Sequence, residues 1–142
     1  MESLTIFAQN NILLIKAVII LLSFLSTFLL TTFLVRKIIF KGKNKIDVDG
    51  DGKIDEKDEK LIRDGFIIGK CENIIILCFV LAGEITGLAL VFAAKNLARQ
   101  NKINDNAGFF LAGTMVNFTA SLIIGFITRF ILDQLPVWLN QI

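Results

Sequence analysis

The sequence predicts an all-α integral membrane protein with three transmembrane helices, an EF-hand-like loop, and a short amphipathic helix between the first and second of them. The first observation is apolarity. Hydrophobic residues make up 54% of the 142 and the mean hydropathy is +0.68, whereas a soluble domain reaches roughly 45–50% only when Gly is counted as well. The second is concentration: the apolar residues gather at 11–35, 73–94 and 108–132, and each block can supply the ~20-residue helix that a bilayer core demands. The third is the lack of breakers, since the only Pro, at position 136, lies beyond the third block. Helices that satisfy their own backbone are the structures that hydrocarbon tolerates. A soluble helical bundle is the alternative reading.

Residues 1–35 comprise a polar cap and the first helix. The apolar run exceeds the 7–15 residues of a signal-peptide core and no small-x-small cleavage site follows it, so it reads as a retained anchor. Lys16, Ser23, Thr27 and Thr31 fall within an arc of ~80° at 100° per residue, which marks a face turned toward other helices.

Residues 36–72 form a basic segment that surrounds an acidic loop. Arg36, Lys37, Lys41, Lys43 and Lys45 follow the first block, and Lys60, Arg63 and Lys70 precede the second. Only Lys95, Arg99 and Lys102 lie between the second and third. By the positive-inside rule this segment is cytoplasmic, the N-terminus outside and the C-terminus cytoplasmic, with three crossings. Residues 56–64 carry Leu61 and Ile62 among charges and read as a short amphipathic helix that stops at Gly65.

The hairpin 73–132 follows, with helices at 73–94 and 108–132. Gly83 and Gly87 form a small-xxx-small pair suited to close helix approach. Glu84 sits beside them near the middle of the expected span, where a carboxylate costs ~2.5–3.5 kcal/mol on insertion scales. That cost makes Glu84 a candidate for a pathway, or for a packing contact, at the depth of Asn117 with Thr114 nearby. In the third helix Thr114, Asn117, Ser121, Gly125 and Thr128 make a small, polar stripe within ~80° of arc, which is expected to face protein rather than lipid. Lys95 and Arg99 read as outer-surface residues, and Arg129 as reaching the inner surface. The tail 133–142, with Pro136 and Trp138, has the composition of an interfacial anchor. Cys71 and Cys78 are two helical turns apart, ~10 Å, too far to bridge, and read as buried thiols.

The stretch 47–58, DVDGDGKIDEKD, holds six acidic residues in twelve. Asp47, Asp49 and Asp51 occupy positions one, three and five of a twelve-residue calcium loop, and Gly52 the sharp turn at six. Lys53 offers its backbone carbonyl at seven, Asp55 stands at nine and Asp58 at twelve. Ile54, at eight, is expected to point into an apolar cluster beneath the loop. On these residues 47–65 resembles an EF-hand loop, and especially the calcium-loop-and-helix unit of bacterial dockerin-type sequences. The resemblance implies calcium bound by Asp47, Asp49, Asp51, the Lys53 carbonyl, Asp55 and Asp58. Two departures stand out: Asp58 replaces the longer terminal Glu, which favours competition by magnesium, and KIIFKGKNKI is a poor entering helix, interrupted at Gly42. Farther on, AAKNLAR and GTMVNF resemble the C-terminal membrane half of an uncharacterised bacterial integral-membrane family, which implies a bacterial membrane protein and no activity.

The chain has no His, no nucleophile elbow and no phosphate-binding glycine loop, so it is not expected to be an enzyme. The basic cluster beside a membrane helix speaks for topology and anionic lipid rather than nucleic acid. Two functions remain open. One is an oligomeric channel or transport component with a divalent-cation-binding loop. The other is a structural or adaptor subunit, or a holin-like lesion-forming protein, in which the cation only folds the loop. In either case the polar stripes call for partners: lipid, and other copies or a larger membrane complex.

Overall fold

A computed structural model describes residues 11–40, 47, 48 and 50–139, with the side chains of Asn96, 98–110 and Leu139 excepted. The described chain is all-helical, with no strand among the described residues. Helix α1 is Ile12–Leu34, prolonged by a π-helical turn, Val35–Ile39. Helix α2 is Glu56–Ala82 and helix α3 is Ile85–Leu139. Ile12–Ile38, Glu56–Ala82 and Leu111–Trp138 are each long and apolar enough to cross a membrane, and Ile85–Lys95 is a shorter apolar helix.

The α3 run is not straight. Lys95 and Thr114 are 19 residues apart and Phe92 and Phe118 are 26, separations of about 28 and 39 Å along an undistorted helix. Yet Lys95 Nζ lies 3.2 Å from Thr114 Oγ1, and the Phe92 and Phe118 rings are 4.6 Å apart. The run therefore doubles back between Lys95 and Leu111, giving a descending limb, Ile85–Lys95, and a rising limb, Leu111–Trp138.

Side-chain pairings fix the directions. Phe40 stacks on Phe66 with ring centres 5.8 Å apart, and Thr31 bonds to Asn73, so α1 and α2 are antiparallel. Gly69 faces Asn117, Asn73 bonds to Ser121, Gly125 lies against Leu77 and Val80, and Arg129 reaches Val80, so α2 and the rising limb are parallel. Because α3 doubles back, the described start of α1 and the end of α3 lie at the same end of the bundle.

The core is the cluster of Ile76, Val80 and Leu88, with Phe79, Phe118 and Leu122 packed against it. Large aliphatics elsewhere point outward: Leu13 is 80% exposed and Leu21 68%. This inverts a soluble surface, in which such patches stay small.

Several expected boundaries move. The helix that starts at Glu56 does not stop at Gly65 but continues to Ala82, because Gly69, Asn73, Ile76, Leu77 and Val80 supply a buried face beyond it. The expected span 73–94 is broken at Gly83, which has φ +84 and caps α2 in the left-handed region. Gly83 and Gly87 thus flank a turn instead of sharing one helix face. Gly87 still serves close approach, since a Cβ there would run into the Phe79 ring, and Gly125 does the same against Val80 at 3.0 Å. Helix α3 runs through Pro136 to Leu139, so the described part of the tail, 133–139, is helical. Cys71 and Cys78 are exposed on the outside of the bundle.

Gly83→Ala should destabilise the bundle by about 1–2 kcal/mol, the cost of a side chain in the left-handed region, and should displace the Arg129 guanidinium, which lies 2.7 Å from the new Cβ. Thermal denaturation of the purified protein in detergent measures this, and Gly65→Ala, which meets open space, is the control.

Candidate functional site

Two clusters lie at successive heights along α2. The first is the acidic loop. Glycines at 50 and 52, with φ +80 and +83, reverse the backbone around Asp47. Asp47 Oδ1 accepts the Gly50 N–H at 2.6 Å and Oδ2 the Gly52 N–H at 2.8 Å, while Asp51 Oδ1 accepts the Lys53 N–H at 2.8 Å. Gly52 therefore makes the turn expected of position six. Asp55 is the N-cap of α2 and accepts the Lys57 N–H at 2.8 Å.

Asp58 has a different setting from that of an open terminal ligand. It is 1% exposed, with Oδ1 accepting the Val48 N–H at 2.7 Å and Oδ2 the Asp55 N–H at 3.1 Å. The second bond completes a capping box with Asp55. Asp58 is thus the latch that fixes the loop to the first turn of α2. Ile54 is 55% exposed, and Val48, at 0%, is the residue buried beneath the loop. Among the described residues no three carboxylates converge on one point; Asp49 lies outside the described residues, as do Lys41, Lys43 and Lys45. The carboxylates of Asp47, Asp51, Asp55 and Asp58 each accept backbone N–H groups of the loop and the first turn of α2.

The second cluster lies inside the bundle, ten or more residues along α2 from the loop. Asn73, 0% exposed, donates through Nδ2 to Thr31 Oγ1 at 2.9 Å and accepts through Oδ1 from Ser121 Oγ at 2.9 Å. Lys95 forms an ion pair with Glu72, their side chains 16% and 17% exposed, and bonds to Thr114. Lys70 Nζ donates to the Phe28 carbonyl and to Thr32 Oγ1, both at 2.5 Å, and lies 5.1 Å from the centre of the Phe28 ring. The buried hydroxyls of Ser23, Thr27 and Thr31 donate to carbonyls three or four residues back in α1.

The stripe of α3 faces the bundle as expected: Thr114, Ser121, Gly125 and Thr128 are buried, and Asn117 is half-buried. Glu84 is not with them. It is exposed in the turn after Gly83, because the glycine ends α2 one residue earlier and the carboxylate stays at the bundle's end. Nor is Lys95 a surface residue, since it turns inward to Glu72. Arg129 packs at the Gly83 turn and donates to the Val80 carbonyl at 3.2 Å, with Asp133 3.8 Å away. The Arg99 side chain lies outside the described residues.

Lys70, Glu72 and Asn73 escaped the sequence reading as interior residues because two charges mark the edge of a hydropathy block. The signal that finds them is Gly83 read as a C-cap, which shifts the span toward Glu56. No family model matches the chain, and neither a curated protein nor a solved structure shows significant similarity to it.

Two outcomes follow from these geometries. Lys95→Met should cost about 3–5 kcal/mol by leaving the Glu72 carboxylate uncompensated, and Glu72→Leu combined with Lys95→Met should recover most of it; a double-mutant cycle on denaturation in detergent measures both. Asp58→Ala should lower stability by about 0.5–2 kcal/mol through loss of the cap. It should also raise hydrogen exchange at the Val48 amide far more than in the middle of α2.

Proposed function

We propose that the chain is a small integral protein of the bacterial inner membrane that acts, as an oligomer, as a divalent-cation-responsive channel or transport component. One observation carries the reading: the carboxylate that latches the acidic loop, Asp58, belongs to the first turn of the helix that brings Lys70, Glu72 and Asn73 into the bundle. A cation held by Asp47, Asp49, Asp51, the Lys53 carbonyl and Asp55, sharing the free lone pairs of Asp58, would bear directly on α2. Helices are stiff along their axes, so a shift at the first turn is felt at the polar groups farther up. Calcium fits this donor set, and the short terminal Asp leaves magnesium as a competitor.

Orientation follows from the ends of the bundle. The acidic loop and the reversal of α3 share one end, and Arg36, Lys37, Lys60 and Arg63 belong to it. Lys16 and Arg129 lie toward the other. The positive-inside rule then assigns the loop end to the cytoplasm, and both described ends, Ile12 and Leu139, to the outside.

A second reading, a structural or adaptor subunit or a holin-like protein with a purely structural cation, is favoured by one fact: among the described residues no buried side-chain nitrogen or oxygen lacks a hydrogen bond. A network so satisfied packs helices well without conducting anything.

Titration calorimetry on the detergent-purified protein separates the readings. Calcium is expected to bind at the weak end of the ~10⁻⁷–10⁻⁵ M range of sensor loops, and the Asp47→Ala/Asp51→Ala variant to lose that binding. In liposomes calcium should change ion flux, Glu72→Gln should alter it, and Glu84→Gln should leave it as it is. Calcium binding with no change in flux would select the structural reading.

A further inference from the structure

We propose that the cleft at the loop end of the bundle, between α1, α2 and the rising limb of α3, binds a small monovalent anion at the Lys70 ammonium. The inference is independent of the cation-binding loop.

Charge is the first argument. An ammonium has three donors, and Lys70 directs two of them to neutral acceptors, the Phe28 carbonyl and the Thr32 hydroxyl. Among the described residues no carboxylate pairs with Lys70; the nearest in sequence, Glu72, is taken by Lys95. A cation among apolar helices without a counter-charge is costly. An anion on the third donor supplies the missing charge.

Space is the second. The cleft encloses about 80 Å³ and is lined by Gly65, Gly69 and Gly113 together with Lys70, Asn73 and Asn117. A Cβ built on Gly65 or Gly113 would meet nothing within 4 Å, so the glycines leave the room open. The cleft, open on one side, has room for a halide or a small carboxylate together with water. Gluconate, far bulkier than a halide, is the reference anion for a test of the site.

A second donor is the third argument. The Asn117 amide makes no hydrogen bond among the described residues, and its Nδ2 lies 2.5 Å from the position of a Gly69 Cβ. It reaches across the cleft into space that only glycine leaves free. Beyond these groups and the Thr31 and Thr32 hydroxyls the walls are apolar, with Val35, Ile39, Leu61 and Phe66, a lining that strengthens a charge-assisted bond made there.

The test uses the full chain in a neutral detergent at fixed ionic strength, with sodium gluconate exchanged stepwise for sodium chloride. The thermal midpoint should rise saturably with chloride, as linkage requires for a ligand of the folded state, and the ³⁵Cl resonance should broaden. Lys70→Met, which removes one charge-assisted bond, should weaken chloride binding by about tenfold or more. Gly113→Leu, which fills the cleft and leaves Lys70 in place, should abolish binding while the helical circular dichroism stays native. Asp47→Ala/Asp51→Ala should bind chloride like the parent. Equal midpoints in chloride and gluconate with no ³⁵Cl broadening would overturn the proposal, as would broadening that survives Gly113→Leu. A response seen in nanodiscs only when phosphatidylglycerol joins phosphatidylcholine would also overturn it, assigning the cleft to a lipid headgroup instead of a free anion.

Discussion

Every polar group inside this bundle must find its partner in the protein, and the Asn73 amide is where that requirement is met across three helices at once. Its donor goes to Thr31 in α1 and its acceptor to Ser121 in α3, so the side chain sets the height at which both neighbours stand relative to α2. From that height the other contacts follow in register: Gly69 at Asn117 below, Gly125 at Leu77 and Val80 above, and Arg129 at the Gly83 turn. Among apolar helices dispersion alone specifies register weakly, because one aliphatic turn resembles the next. A buried amide with two directional partners does not have that freedom.

The same constraint explains the division of labour among the small and polar residues. Thr27 and Thr31 are buried, and each hydroxyl donates back to its own helix, so they line the interior without demanding a matching partner. Gly125 admits Val80, and Gly87 admits the Phe79 ring, and these approaches bring the limbs close enough for Lys95 to meet Glu72. The ion pair is therefore a consequence of packing on the glycine side of the bundle. It is also what makes a glutamate tolerable well inside α2.

The loop and the bundle meet through α2. Asp55 and Asp58 organise its first turn, and acidic residues there oppose the positive end of the helix dipole. Because the helix runs unbroken from that turn to Ala82, what happens at the loop and what happens at Lys70 and Asn73 involve one rigid element. That continuity links a hydrophilic loop to an apolar interior with no flexible joint between them.

The helical class, the three long apolar stretches, the inward face of the α3 stripe and the turn at Gly52 were all legible from residue pattern, because each depends on local periodicity or on a backbone angle that only glycine readily adopts. The doubling back of α3 was not, nor were the inward contacts of Lys70, Glu72 and Lys95, the exposure of Glu84 or the latch role of Asp58. A charge reads the same in sequence whether it ends a span or lies within one, and the difference rests on where a distant partner waits. Gly83 shows the limit most plainly. As part of GEITG it suits a helix interior as well as a cap, and only the Arg129 side chain and the returning limb of α3, both brought there by tertiary packing, made it the turn that moved Glu84 out and drew Glu72 in.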